Sequence, residues 1–299
     1  MPHKDASALL WAARHGSLST AQHSLSSGSR APAVTLHEAL SIAVKANNTE
    51  MAEALLSQGI DLNTLHQGEK DAPPATFLGR AAQVGHVEMV KLFLSKNAVD
   101  PNLGKVGPPI ALAAYNSHHA VVEILLNTLG VNLNQRDSSG CAPLFSAVFS
   151  GSEAAVSQFL AHPGVDINAA MSTGYYMTTM TGWTALMFAI SREHTKMAAR
   201  LLEMPNIDAG HKSFIRETAL HLAAAKGFKN IVQLILSKKV DPDPRDYRSQ
   251  SPLFRAAAGG HLAIVKLLCE LGADSERADS NFCCFCSVCS NPYLFYQCY

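Results

Sequence analysis

Thirteen histidines and seven cysteines are the groups of this 299-residue chain best suited to hold a metal or move a proton. Their spacing argues against both uses in the body of the chain. His86, His118, His194 and His261 recur at one position of a repeated unit, and His221 occupies another, so they read as structural positions. Asp61, Asp166 and Asp274 fall in turns by their spacing and form no acid–base pair. The chain has no glycine-rich phosphate loop with lysine, no Gly-x-Ser-x-Gly and no His-Glu-x-x-His. We therefore expect no catalytic residue, no metal and no cofactor: the chain reads as a non-enzyme.

Five of the cysteines crowd into the C-terminal stretch, as Cys283, Cys284, Cys286, Cys289 and Cys298, while Cys141 and Cys269 stand alone. An odd, clustered set does not make a disulfide framework. Four tail thiolates could in principle bind zinc, but the first three are too crowded and no polar scaffold surrounds them. Acylation of exposed tail cysteines is the other chemistry open to this segment, and it is not the expected one. The tail, residues 279–299, uncharged after Asp279, is expected either to cover the last helix or to be a non-native end.

The elements that carry these residues are copies of one unit. Segments beginning at Ser7, Glu38, Thr76, Pro108, Ala142, Thr184, Thr218 and Ser251 align at a period near 33 residues. The third residue of each is Leu9, Leu40, Leu78, Ile110, Leu144, Leu186, Leu220 or Leu253. The sixth is always alanine: Ala12, Ala43, Ala81, Ala113, Ala147, Ala189, Ala223 and Ala256. Thr218 or Ser251 can cap a helix, and Pro143 or Pro252 suits its first turn. Glycine at position ten (Gly16, Gly85, Gly151, Gly227, Gly260) can end that helix in the left-handed conformation, as can Asn47. Ser117 and Glu193 are poorer fits there, so those two ends are expected to differ. A second, apolar helix and a Gly-x-Asp turn complete the unit, as in Gly59-Ile60-Asp61.

The motifs TALHLA, SPLFRA and APLFSA, with GHVEMVKLFL, GHLAIVKLL and GIDLN, closely resemble ankyrin repeats. The resemblance covers about residues 7–278 and implies an all-α solenoid of about eight helix–turn–helix units with β-turn or hairpin loops. Residues 1–278 are read as one ankyrin-repeat domain and 279–299 as an irregular tail. The first unit has a polar second helix (Gln22, His23, Ser24), as suits an end facing solvent. The last keeps Ile264, Val265, Leu267 and Leu268, so something should cover it.

The resemblance also implies protein–protein recognition on a concave face built from first helices and loop tips, without chemistry. Positions five, eight and nine do not build the core and hold aromatic residues and arginines, the types that anchor interfaces. The candidates are Trp11, Arg80, Tyr115, Phe149, Phe188, Arg192 and Arg255. Tyr247 in the tip segment 244–250 joins them, as do Tyr175 and Tyr176 in an uncharged insertion at 169–182. Alanine at Arg80 and Arg255 together is expected to weaken a partner complex without loss of helix. A second insertion, near 67–74, is polar and reads as an exposed loop. The alternative role is an accessory or targeting subunit that brings an enzyme to its substrate.

Composition sets the outer limits. With 47% hydrophobic residues the chain is not disordered. Twenty-four basic and 24 acidic side chains leave no net charge, which disfavours nucleic acid as a partner. No apolar run reaches the length of a membrane span, and the N-terminal residues lack a secretory h-region. We expect a monomer in the cytoplasm or nucleus that binds proteins.

Overall fold

A computed structural model describes residues 2–26, 31–66, 73–96, 98–172 and 180–274. Among these residues there are sixteen helices, paired in order into eight units. The pairs are α1 (Pro2–His15) and α2 (Leu18–Ser26), α3 (Ala33–Lys45) and α4 (Thr49–Leu56), α5 (Phe77–Val84) and α6 (Val87–Leu94), and α7 (Pro109–Tyr115) and α8 (His119–Leu126). Then come α9 (Pro143–Phe149) and α10 (Glu153–Ala161), α11 (Ala185–Ser191) and α12 (Thr195–Glu203), α13 (Ala219–Lys226) and α14 (Lys229–Ser237), and α15 (Pro252–Ala258) and α16 (Leu262–Glu270). First helices pack on first helices and second on second, so each unit buries its apolar stripe only against its neighbours.

The repeated leucine and alanine explain why. All eight alanines at position six have no exposed surface, and the eight aliphatic residues at position three are buried. The small alanine lets the next helix come close, and any larger side chain would have to displace it. Helix starts follow the expected rules: Thr76, Thr184, Thr218 and Ser251 each accept the backbone N–H three residues on. Pro143 and Pro252 stand at the first helical turn.

The helix ends are more uniform than expected. Ser117 (φ 62°) and Glu193 (φ 65°) take the same left-handed conformation as the glycines and Asn47 at that position. The tight turn between the two helices imposes it whatever the residue, and a Cβ there costs about 1–2 kcal/mol. Ser117 is exposed. Replacing it with glycine should therefore stabilise the protein by about 0.5–1 kcal/mol, after allowing for glycine's freedom in the unfolded chain; a urea unfolding midpoint reads this.

Two further devices tie the units together. His118 Nε2 donates to the Gln83 carbonyl (3.1 Å) and His261 Nε2 to the Ala225 carbonyl (3.1 Å), with His86 reaching Lys45 likewise (3.3 Å). These imidazoles reach back to the end of the previous first helix. The His118 ring leaves no room for a side chain at Gly85, where a Cβ would lie 2.4 Å from it; Gly227 and His261 repeat the arrangement at 2.5 Å.

The second device is an asparagine ladder between the long turns. Asn134 donates through Nδ2 to the Gly164 carbonyl (2.9 Å) and accepts from the Asp166 N–H (2.8 Å). Asn63, Asn102 and Asn168 bridge to the next unit in the same two-bond way. The preceding acid or amide makes each rung rigid: Asp166 Oδ1, for instance, accepts the Asn168 N–H at 3.0 Å. At the next rung stands Gly210, whose N–H bonds Asp208 but which has no side chain to pass on. Asn134→Ala should cost about 1–2 kcal/mol, since two backbone groups lose a partner. Gly210→Asn should recover stability of similar size, because its Cβ would meet only ordinary contacts and a cleft of ≈ 190 Å³ lies beside it. Denaturant unfolding of both variants checks the pair, and a loss of stability in Gly210→Asn would refute the ladder reading.

At the N-terminal end, α2 buries only Ala21 and Ser24, consistent with its polar sequence. At the other end, α16 buries Ile264, Val265 and Leu268, while Leu262 and Leu271 are exposed. The tail expected to cover it, and the division at 278, lie outside the described residues, as do residues 67–72 of the polar insertion. The stem of that insertion is closed by an antiparallel bridge between His66 and Ala75.

Candidate recognition face

The first helices line one side of the solenoid, and three of them build a ladder of rings. Tyr115, the last residue of α7, stacks on Phe149 at the end of α9, with centroids 5.2 Å apart and planes at 19°. Phe149 stacks in turn on Phe188 of α11 at 5.4 Å and 20°. Arg192, at the C-terminus of α11, lays its guanidinium 5.6 Å from the Phe149 centroid and 5.3 Å from that of Phe188. The ladder follows from the repeat. Corresponding positions in adjacent units lie side by side, so aromatic residues at position eight of two units meet face to face.

Burial divides these four residues. Tyr115 is 52% exposed and Phe149 is half-buried, with Arg192 exposed. Phe188 has no exposed surface at all. It lies under Phe149 and Arg192 and against the Phe145 ring (4.8 Å), so it supports the face and cannot itself touch a partner. That corrects its reading as a contact residue.

The remaining candidates lie apart from this cluster. Trp11 is 52% exposed and stacks on His15 at 4.3 Å, while His15 bonds the Trp11 carbonyl. Arg80 donates to the Pro73 carbonyl (2.7 Å), fastening the insertion stem. Arg255 is a structural charge. It bonds the Asp246 carboxylate at 2.8 Å and approaches Glu217 at 3.7 Å, and both acids are buried. The expectation that Arg80 and Arg255 could be removed without structural cost is therefore withdrawn. Tyr247 is exposed on a loop tip, and Tyr175 and Tyr176 lie outside the described residues.

Sequence reasoning missed the companions of Arg255. Asp246 follows the polar run Asp241–Arg245, and Glu217 follows Phe214-Ile215-Arg216, neither of which marks a buried acid. The signal was their register: both sit beside the first-helix start, where packing excludes water. Burial raises the Glu217 pKa. The Cys141 thiol, also buried, is pushed up to about 12, mainly by burial, and is no nucleophile. Among the described residues no group of three or more His, Cys, Asp or Glu could hold a metal ion.

Eight stacked helix pairs, three of them joined by the ring ladder, define a helical-repeat solenoid. The model for ankyrin repeats matches residues 9–105, 78–171, 173–246 and 205–279, and the chain belongs to that family. Among similar proteins is ankyrin repeat and KH domain-containing protein mask-1 of Caenorhabditis elegans, 32% identical over 160 residues, covering 53% of this chain and 6% of that protein. Another is ankyrin repeat domain-containing protein SAT10 of Stachybotrys chartarum, 25% identical over 215 residues, covering 67% of this chain and 11% of that one. The 26S proteasome non-ATPase regulatory subunit 10 of Dictyostelium discoideum is 39% identical over 75 residues, 25% of this chain and 32% of its own. The chain thus matches a third or less of the length of these relatives. Ankyrin repeats mediate protein–protein interaction and are typically non-catalytic. No helix among the described residues is long and apolar enough to cross a membrane.

Proposed function

We propose that the chain is a non-catalytic scaffold or adaptor that holds partner proteins on its first-helix face. The supporting observation is the ring ladder with its cationic end. Tyr115 and Phe149 offer rigid apolar area, and the exposed Arg192 holds its guanidinium over the Phe149 and Phe188 rings. Such aromatic and arginine residues carry most of the binding energy of protein interfaces. The fold needs neither Tyr115 nor Arg192 for its core, so exposing them has no structural return. We read the protein as a monomer of the cytoplasm or nucleus with no cofactor, no catalytic residue and no nucleic-acid partner. Residues 1–278 form the binding domain.

A second reading, an accessory or targeting subunit that brings an enzyme to its substrate, is favoured by the similarity to a proteasome regulatory subunit. One experiment serves both. The tagged full chain and its Tyr115→Ala/Arg192→Ala variant are used to capture proteins from cells, which are identified by mass spectrometry. Partners enriched by the parent and depleted at least about tenfold by the variant support this face; equal recovery by both overturns it. An enzyme among the depleted partners favours the accessory role.

A further inference from the structure

The loop tips between units repeat one turn with different side chains. In the tip at 137–141, Asp137 N–H donates to the Cys141 carbonyl (2.9 Å), and Asp137 Oδ1 accepts from the N–H groups of Ser139 and Cys141. The tip at 246–250 is built the same way. Asp246 N–H donates to the Gln250 carbonyl, and Oδ1 accepts from Arg248 and Gln250. At 213–217 Ser213 takes the acid's place, bonded to Glu217 through its N–H and its hydroxyl oxygen. Adjacent tips are joined through the backbone: Phe214 N–H reaches the Thr181 carbonyl (3.1 Å), and Tyr247 N–H the Ile215 carbonyl (3.0 Å).

In this register Ser138, Ser139 and Gly140 of the first tip correspond to Phe214, Ile215 and Arg216 of the second and to Tyr247, Arg248 and Ser249 of the third. The turn is therefore satisfied by two serines and a glycine. It asks for no aromatic residue and no arginine. Yet Phe214 is 79% and Tyr247 54% exposed. Arg216 holds the left-handed conformation (φ 58°) that Gly140 takes without strain (φ 77°). Arg248 lies over the Tyr247 ring at 5.2 Å and bonds its hydroxyl. Among the described residues neither Arg216 nor Arg248 has a carboxylate partner, whereas the acids of both tips, Glu217 and Asp246, are buried and both paired with Arg255. The tips thus present only positive charge and exposed rings.

We infer that the paired tips at 213–217 and 246–250 form a second docking surface, for an acidic peptide segment of a partner protein in which apolar side chains stand between the carboxylates. Charge complementarity selects the acid: carboxylates meet Arg216 and Arg248 while the apolar side chains cover Phe214 and Tyr247. A nucleic acid is the weaker fit, because these cations are few and no basic stripe continues from them in a chain of zero net charge. The surface lies on loop tips, whereas the ring ladder lies on the first helices α7, α9 and α11.

The test uses the full chain and fluorescence anisotropy at low salt. The probe is a labelled synthetic peptide alternating glutamate and leucine, set beside its glutamine counterpart and a single-stranded oligothymidylate. The acidic peptide should bind. The Arg216→Gly/Arg248→Ser and Phe214→Ser/Tyr247→Ser variants should each weaken it at least about tenfold with unchanged circular dichroism. These variants carry the side chains that the 137–141 tip already accommodates, so the turns should persist. The Tyr115→Ala/Arg192→Ala variant should bind the peptide as the parent does. No binding by the parent, equal affinity for the glutamine peptide, unchanged affinity in the tip variants, or tighter binding of oligothymidylate would each overturn the inference. Loss of binding in the Tyr115→Ala/Arg192→Ala variant alone would assign the peptide to the helix face instead.

Discussion

Arg255→Ala is expected to destabilise the protein by about 3 kcal/mol, in the range found when one partner of a buried ion pair is removed. Its guanidinium is the positive charge bonded to two buried carboxylates, Asp246 at 2.8 Å and Glu217 at 3.7 Å. The Asp246 side chain is 0% exposed and that of Glu217 8%, so water cannot replace the lost partner. Asp246 is also fixed in place, because its other oxygen holds the turn N–H groups of Arg248 and Gln250. Without Arg255 the two acids face each other uncompensated, and Glu217, whose pKa is already raised by burial, should take up a proton more readily still. The loss should appear first as faster amide exchange in α13 and α15, since each unit leans only on its neighbours. Adding Glu217→Gln and Asp246→Asn should restore much of the loss, as both keep an acceptor while removing the charge. If Arg255→Ala unfolds in urea at the parent's midpoint, the cluster contributes nothing and the arginine returns to the list of contact residues.

The same cluster shows what the one-dimensional pattern conveys. Leu220 and Ala223 identify themselves because packing leaves one or two acceptable residues at their positions, and that restriction repeats eight times. Helix starts are legible for a similar reason, since Thr218 and Ser251 must supply an oxygen. Contacts between units are another matter. Asn134 reads as a turn residue in Asn-Leu-Asn, and its partners, Gly164 and Asp166, lie about thirty residues on. Nothing in the local sequence says that its amide faces the next turn. Phe188 fails in a complementary way. Counting along its short helix places it on the open face, but the Phe149 and Phe145 rings of the preceding unit roof it over. Ser117 and Glu193 were expected to end their helices differently. The turn geometry proves stronger than the residue's own preference, at a cost the packing of eight units can carry.

Exposed position and functional position therefore separate along this chain. Tyr115 and Arg192 are exposed on one helix face, while Phe214, Arg216, Tyr247 and Arg248 are exposed on loop tips. Each stands at a register position that at least one other unit fills with a small or polar residue: Ser191 and Ala225 at that of Tyr115, Asn116 and Ser150 at that of Arg192, and Ser138, Ser139 and Gly140 at those of the tips. The repeat itself thus supplies the control: a residue type that other units manage without at the same position is not there for the fold.

Acid should weaken the protein between about pH 6.5 and 4, and His221 is one of the two groups that carry the effect. Its side chain has no exposed surface, and burial lowers its pKa from 6.5 to about 4. The hydrogen bonds explain why the neutral ring is preferred. Nε2 donates to the Gln250 carbonyl (3.0 Å), and Nδ1 accepts from the Thr218 N–H (3.2 Å), leaving no room for a second ring proton. The unfolded chain binds that proton below about pH 6.5 and the folded chain only below about 4. Stability is therefore full above the first value and falls as pH drops to the second, by about 3 kcal/mol at most for a shift of this size. His66 adds to the loss in the same window. It too is held near pKa 4, first by burial and then by the charges of His37 and Arg80, with the His37 ring 4.8 Å away. Glu217 opposes them: its raised pKa lets the folded chain take up a proton early, which softens the decline as pH approaches 4.5. His221→Gln can keep a donor towards Gln250 and has nothing to titrate. Its stability should be lower than the parent's at neutral pH, yet fall less steeply between about pH 6.5 and 4 when both are unfolded by urea across that range. Parallel curves for parent and variant would mean that His221 takes up its proton as readily in the folded as in the unfolded chain, and that the Thr218 cap does not fix its ring.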